Sequence, residues 1–376
     1  MPLFSYPLPL HTGLFPASWA TGCASWRAEL DALRSACKQS IPVDIREFPA
    51  PGNSPEGEAL FTQCAWLGPA DAAAVVVLIA GTHGVEGYAG SGVQCDLWRL
   101  LAAGQLALPS GVALLAVNGL NPWGYAWNRR CDGEGIDVNR NFVDFDQPLP
   151  ANRGYDELRE AFFLDDPAES SRRLKAFRDR YGQTAYEIAV SGGQFSDPLG
   201  PFYGGTGKSH SRRVVETLMA DYALAQRRLA VIDVHTGLGP YGHGEIICDH
   251  PAGSPGAKAA KHWYGPSCTL PEQGESSSVP KLGLLDYAWH RIMGADSCFV
   301  TLEFGTLGTD NLFSVLLEEN RAWAGRGKSA MSEQQRLRLA GCMAAHFFPA
   351  DALWRETVLF RSRQVITQAF NALGEV

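Results

Sequence analysis

Three short segments of this 376-residue chain carry side chains that could bind a metal ion or move a proton. In Gly81-Thr-His83-Gly-Val-Glu86-Gly87, His83 and Glu86 stand three apart directly after an apolar run. An imidazole and a carboxylate in such a tight turn can present a nitrogen and an oxygen to one ion. Zinc accepts that mixture and needs a third protein ligand if water is to take the fourth position. His235, in Asp233-Val-His235-Thr-Gly237, leaves a second apolar run in the same way and completes a candidate His₂Glu set. Taken singly, His235 fits a core imidazole with satisfied nitrogens equally well; the shared position of the two segments favours the ligand reading.

Glu303 closes a third apolar run, in Thr301-Leu-Glu303-Phe-Gly305. A carboxylate there costs free energy unless it is exposed, paired or working. Beside an acidified water it would accept a proton and hand it to a leaving amine; the alternative is a strand-end ion pair at the surface. A fourth segment runs from Asn121-Pro-Trp-Gly124 through Asn128-Arg129-Arg130 to Asp137-Val-Asn139-Arg140-Asn141. A guanidinium fork beside an amide binds a carboxylate by paired hydrogen bonds, which points to Arg140 with Asn139 for a substrate's charged end. Arg129 or Arg130 could polarise the carbonyl under attack, and a solvated arginine-rich turn is the plainer alternative.

These residues need elements that bring them to one edge. Four runs read as strands covered on both faces: Ala74–Ala80, Val112–Val117, Leu229–Val234 and Ser297–Leu302. Helical composition appears in Gly90–Leu101, Pro167–Val190, Ser211–Gln226, Leu282–Met293, Asn311–Trp323, Ser332–Phe348 and Asp351–Leu373. The Gly-, Pro- and Ser-rich stretch Gly239–Ser278 is expected to form long loops over a site. This order predicts an α/β fold with a mixed, mostly parallel central sheet and helices on both faces. No repeat or convincing linker divides the chain, so residues 1–376 are expected to form one domain with a helical C-terminal segment.

Composition narrows the partners. Lysine and arginine number 32 against 40 aspartates and glutamates, a formal charge of −8, and no basic block stands out, which argues against nucleic acid. The longest apolar run, Ala72–Ala80, is far short of the ~20 residues of a membrane-spanning helix. The proline-rich start lacks the charged and apolar regions of a signal peptide, so a cytoplasmic location is expected. Nine cysteines without a Cys-x-x-Cys pair read as reduced core residues, not a disulfide framework.

Taken in order, HGVEG, NPWG, RR, GIDVNRNF, DVHTG and LEFG resemble the zinc carboxypeptidase superfamily, which includes the succinylglutamate desuccinylase and aspartoacylase branch; the likeness spans roughly residues 74–306 and is strongest to a bacterial carboxypeptidase-like group. The resemblance implies Zn²⁺ held by His83, Glu86 and His235, a general base at Glu303, and substrate contacts from Asn139 and Arg140. It implies that Asp137 accepts a hydrogen bond from His83, and that Arg130 stabilises the oxyanion, with Arg129 as its rival. The chain departs from digestive carboxypeptidases after His235, where Thr-Gly replaces Ser-Tyr. Tyr203, Tyr241, Tyr264 and Tyr287 are all candidates for a pocket tyrosine.

The expected function is hydrolysis of an amide bond next to a free carboxylate, in a small peptide or an N-acyl amino acid. A non-catalytic metal- or peptide-binding protein would be expected to have lost Glu303, a ligand or the arginine, and all are present. A serine hydrolase would need a Gly-x-Ser-x-Gly turn, which the sequence lacks.

Overall fold

The computed structural model describes residues 8–37, 41–325 and 331–374. Eight strands among these form one sheet: β1 (Val43–Asn53), β2 (Ala59–Leu67), β3 (Ala74–Ala80), β4 (Val112–Asn118), β5 (Arg228–Gly237), β6 (Gly244–Ile247), β7 (Cys268–Thr269) and β8 (Cys298–Gly305). Their order is β1-β2-β4-β3-β5-β8-β6-β7. The central four, β4-β3-β5-β8, are parallel. β2 joins β4, β1 joins β2 and β6 joins β8 antiparallel, while β7 lies parallel to β6. The fold is therefore α/β with a mixed, mostly parallel sheet.

The alternation of side chains along a strand divides the core in two. Ala74, Val76 and Leu78 of β3 join one apolar cluster with the helices Trp19–Ala36, Gly87–Ala102 and Ala352–Gly374. Val75, Val77 and Ile79 join a second with Val214, Val215 and Leu218 of His210–Asp221. On that second face β5 and β8 change character along their length. Leu229, Val231 and Phe299 are apolar, whereas Asp233, His235, Thr301 and Glu303 occupy the same parity nearer the carboxyl ends. A polar cavity opens there because the sheet stops supplying apolar side chains.

β3 pairs with β4 on one side and β5 on the other, so the strand order reverses at its carboxyl end. Open α/β sheets leave a crevice at such a point. The C-terminal helices brace it from the first face. Thr236 Oγ1 donates to the Phe347 carbonyl at 2.6 Å and Trp354 Nε1 to that of Gly305 at 2.8 Å.

Two predicted helices and one predicted loop differ in the structure. Pro167–Val190 is two helices, Pro167–Tyr181 and Gln183–Ser191. Leu282–Met293 is helical only over Asp286–His290, because Gly283 closes against the Arg140 carbonyl, with room for no Cβ (2.1 Å) and a φ of +66°. The expected loop Gly239–Ser278 contains β6, β7 and the helix Pro255–Tyr264. Among the described residues, no helix is long and apolar enough to cross a membrane, and all nine cysteines are free.

Candidate metal centre and its cavity

His83 leaves β3 at the start of a single 3₁₀ turn, Gly84–Glu86, which runs directly into the helix Gly87–Ala102. The turn is clamped by the segment that follows Asn121-Pro-Trp-Gly124. Gly84 and Val85 donate their backbone N–H groups to the Arg130 and Arg129 carbonyls at 3.3 and 2.9 Å. A Cβ on Gly84 would lie 2.0 Å from the Gly124 backbone, so the two segments can meet only with glycine at position 84. This clamp carries Arg130 to the His83–Glu86 turn.

His83, Glu86 and His235 converge, each buried, with ligand atoms within 4.8 Å of one another. Nδ1 of His83 stands 2.9 Å from Glu86 Oε1, Nδ1 of His235 stands 3.1 Å from Glu86 Oε2, and the two Nδ1 atoms are 3.1 Å apart. Each Nε2 faces away toward another carboxylate. That of His235 is 2.6 Å from Asp233 Oδ2; that of His83 is 3.2 Å from Asp137 Oδ1, close enough to steer the ring though not aligned as a hydrogen bond. Asp233 is fixed in turn by the Thr82 hydroxyl at 2.9 Å, and the Thr236 N–H donates to Glu86 Oε2 at 2.9 Å.

Two imidazole nitrogens and a carboxylate facing one another at these distances repel unless a cation or proton lies among them. The donor set suits a borderline divalent ion such as zinc. The electrostatics agree. Burial alone would raise Glu86, but His83 and His235 hold its carboxyl well below the usual range. Burial likewise opposes charge on His235, yet Asp233 and Glu86 push its imidazole well above its ordinary value. A cation would take the place of that proton.

Glu303 sits beside this cluster, paired in register with His235 across β5 and β8. It is buried, and the Leu238 N–H donates to its Oε1 at 3.0 Å, leaving Oε2 toward the cavity. Burial first, and the Glu86 charge second, raise its carboxyl to about 7.

Of the two adjacent arginines only one faces the cavity. Arg130 donates from Nε to Asp137 Oδ2 at 2.8 Å, lies 3.6 Å from Glu86 Oε1 and stacks over the Phe202 ring. Asp137 is held well below the usual carboxylate range: burial would raise it, and Arg130, Arg140 and His83 outweigh that. Arg129 is not brought to the cavity. Its guanidinium is buried against Glu319 and lies over the Trp323 ring at 4.2 Å, so it is a structural cation and not a rival to Arg130.

Arg140 lines the cavity with Nε and Nη2 on the Ser191 carbonyl, at 3.2 and 2.7 Å, and Nη1 on that of Asn139 at 2.6 Å. Of its five N–H groups, one on each terminal nitrogen remains. Asn139 lines the cavity too, but its Oδ1 accepts from the Leu285 N–H at 2.7 Å.

Sequence reasoning missed Asp233 as the partner of His235, although a period of two places both on one strand face. It also missed Lys281 and Phe202, which line the cavity from irregular segments without periodicity. None of the four candidate tyrosines lines it. Tyr264 is core, Tyr241 bonds Asp351, Tyr287 bonds the Lys281 carbonyl, and Tyr203 offers its backbone to Asp137. Together the lining residues surround a narrow cavity of about 70 Å³ that opens to solvent.

Among solved structures the chain is similar to carboxypeptidase A from Helicoverpa armigera, with a TM-score of 0.45 and 13% identity over 85% of this chain and 72% of that one. It is similar to a putative succinylglutamate desuccinylase/aspartoacylase family protein from Shewanella amazonensis SB2B, with a TM-score of 0.37 and 20% identity over 81% and 71%. A metallo-carboxypeptidase from Burkholderia cenocepacia aligns with a TM-score of 0.38 and 15% identity over 85% and 66%. No curated protein matches in sequence. Residues 26–361 match the family described as "Protein of unknown function (DUF2817)", and the chain belongs to that family.

Proposed function

We propose that this protein is a zinc-dependent hydrolase that cleaves an amide bond next to a free carboxylate, in a peptide or an N-acyl amino acid. One observation carries the reading: both imidazoles turn Nδ1 inward to Glu86 while each Nε2 is backed by a carboxylate, Asp137 for His83 and Asp233 for His235. For His235 this is the arrangement in which a carboxylate fixes the tautomer of a metal-ligating histidine, and Asp137 supplies the corresponding charge behind His83. His83, Glu86 and His235 would hold the ion.

When bound, zinc supplies a Lewis acid for a carbonyl oxygen and lowers the pKa of water toward ~7. Glu303 is the base: its free oxygen takes a proton from the attacking water as the water oxygen bonds the carbonyl carbon, and delivers it to the nitrogen as the C–N bond breaks. A carboxyl raised to about 7 can do both near neutral pH. Arg130, held by Asp137, directs its remaining N–H groups at the oxygen that gains charge. Arg140 offers its two unused N–H groups to the substrate carboxylate.

The test is a screen of peptides and N-acyl amino acids against protein of measured zinc content, with products identified by mass spectrometry. Release of an amino acid from a substrate with a free carboxylate, and none from its amide, is the expected result. A zinc-loaded protein that cleaves nothing in the panel would refute the proposal.

A further inference from the structure

Among the described residues three other than glycine have a left-handed backbone: Asn128, Phe202 and Ala223. Phe202, at a φ of 55°, is the bulkiest of them, and for an aromatic side chain that conformation is uncommon and costly. It persists where the surrounding structure over-determines it, and such residues cluster at working sites. Of the three, Phe202 is the one that lines the cavity, and it is 3% exposed.

The loop that carries Phe202 is closed by one buried side chain. Gln194 donates from Nε2 to the Asp197 and Pro201 carbonyls at 2.8 and 3.3 Å. Its Oε1 accepts the Ser196 and Asp197 N–H groups at 3.0 and 2.8 Å. The backbone closes the other side: the Gln194 N–H donates to the Phe202 carbonyl at 3.1 Å, and the Gly204 N–H to the Gln194 carbonyl at 2.8 Å. A Cβ on Gly204 would lie 2.7 Å from the Arg140 carbonyl, so this loop packs directly on the Asn139-Arg140 turn. The chain at Phe202 is thus fixed from both sides, against the cost of its φ.

The ring so placed faces two guanidiniums. Cζ of Arg130 lies 5.1 Å from the ring centroid and Cζ of Arg140 lies 5.7 Å from it. Both distances fall where the negative face of an aromatic ring attracts a cation, and burial strengthens that attraction. The two cations otherwise repel: burial pulls Arg140 down to about 10, with Arg130 adding to the fall and Asp137 opposing it. The next residue extends the contact, because the Tyr203 carbonyl accepts the Asp137 N–H at 2.8 Å. One turn of chain therefore sets a ring against both arginines and fixes the backbone of the carboxylate that holds Arg130.

We propose that Phe202 is a positioning residue that holds Arg130 and Arg140 in their working directions at once, one toward the oxygen that gains charge and the other toward the substrate carboxylate. The left-handed turn lets one loop make the Gln194 and Asp137 backbone bonds and still present the ring to both cations. This proposal rests on the hydrolase reading above and adds to it a residue that acts through the arginines.

The experiment replaces Phe202 by leucine, by glycine, which accepts this φ freely, and by phenylalanine carrying one, two or three ring fluorines. The fluorines keep nearly the same shape while weakening the negative face of the ring. The first readout needs no substrate: solvent exchange of the Nε–H signals of Arg130 and Arg140 in protein labelled at arginine nitrogen. Phe202→Leu and Phe202→Gly should speed that exchange about tenfold or more, and the fluorine series should do so in steps. The second is turnover of the best substrate by the zinc-loaded protein. Phe202→Leu should lower kcat and raise KM together, each about threefold or more, and both losses should grow with each fluorine. Arginine signals and kinetics unchanged in Phe202→Leu, or losses that follow side-chain size and ignore fluorination, would overturn the proposal and leave the hydrolase reading standing. Arginine signals that follow the fluorine series in a protein that hydrolyses nothing would support the placement of the guanidiniums and refute the hydrolase reading.

Discussion

Asp233 Oδ2 lies 2.6 Å from Nε2 of His235, two residues along the same strand, and the carboxylate is itself held by the Thr82 hydroxyl at 2.9 Å. This relationship leaves His235 one nitrogen for the cluster and sets which one it is. Asp233→Asn keeps the shape and loses the charge that holds the imidazole. The variant should bind zinc about 10–100-fold more weakly, measured by competition with a chromophoric chelator. Unchanged affinity would show that His235 does not depend on Asp233 as a ligand.

Glu303→Gln should retain zinc and fold normally while kcat falls by a factor on the order of 10² or more. The pH dependence carries a sign. The base must be deprotonated, so kcat/KM of the unmodified protein should rise with pH and level off above about 7, where the raised Glu303 carboxyl has lost its proton. A profile flat from pH 5 to pH 8 would remove Glu303 from that role.

Arg140→Lys keeps the charge and loses the fork, and Lys cannot reach the Ser191 and Asn139 carbonyls in the same planar geometry. KM for a substrate with a free carboxylate should rise about tenfold or more, while the corresponding amide, already poor, should change little. Equal handling of acid and amide by the unmodified protein would exclude Arg140 as the anchor.

Glu319 tests stability apart from chemistry. It neutralises Arg129, buried and away from the cavity, so Glu319→Ala leaves an unpaired guanidinium in the interior. The expected loss is about 3–5 kcal/mol in denaturant unfolding, with kcat unaltered at temperatures where the variant is folded. A loss below about 1 kcal/mol would mean that the pair contributes no more than a solvated one.

The central strands were legible because each is apolar on both faces and ends in glycine or a polar turn; Ala74–Ala80 has the same bounds in sequence and structure. The candidate site residues stand out for the same reason: His83, His235 and Glu303 lie where those runs end. β1 escaped notice because, at the sheet edge, it carries charges and two prolines and buries little. β6 and β7 are too short, at four and two residues, to leave a periodic trace. Adjacent Arg129 and Arg130 diverge at a turn defined by long-range backbone bonds to Gly84 and Val85, which no local pattern encodes. Lys281 and Phe202 reach the cavity from irregular chain.

The most direct test of zinc-dependent hydrolysis is a titration in which metal-free protein receives zinc in steps while hydrolysis of the best substrate from the panel is followed. The expected result is no turnover without zinc, a linear rise, and a break at one equivalent per chain that disappears in Glu86→Ala. Turnover by the metal-free protein, or a zinc response that survives Glu86→Ala, would contradict it.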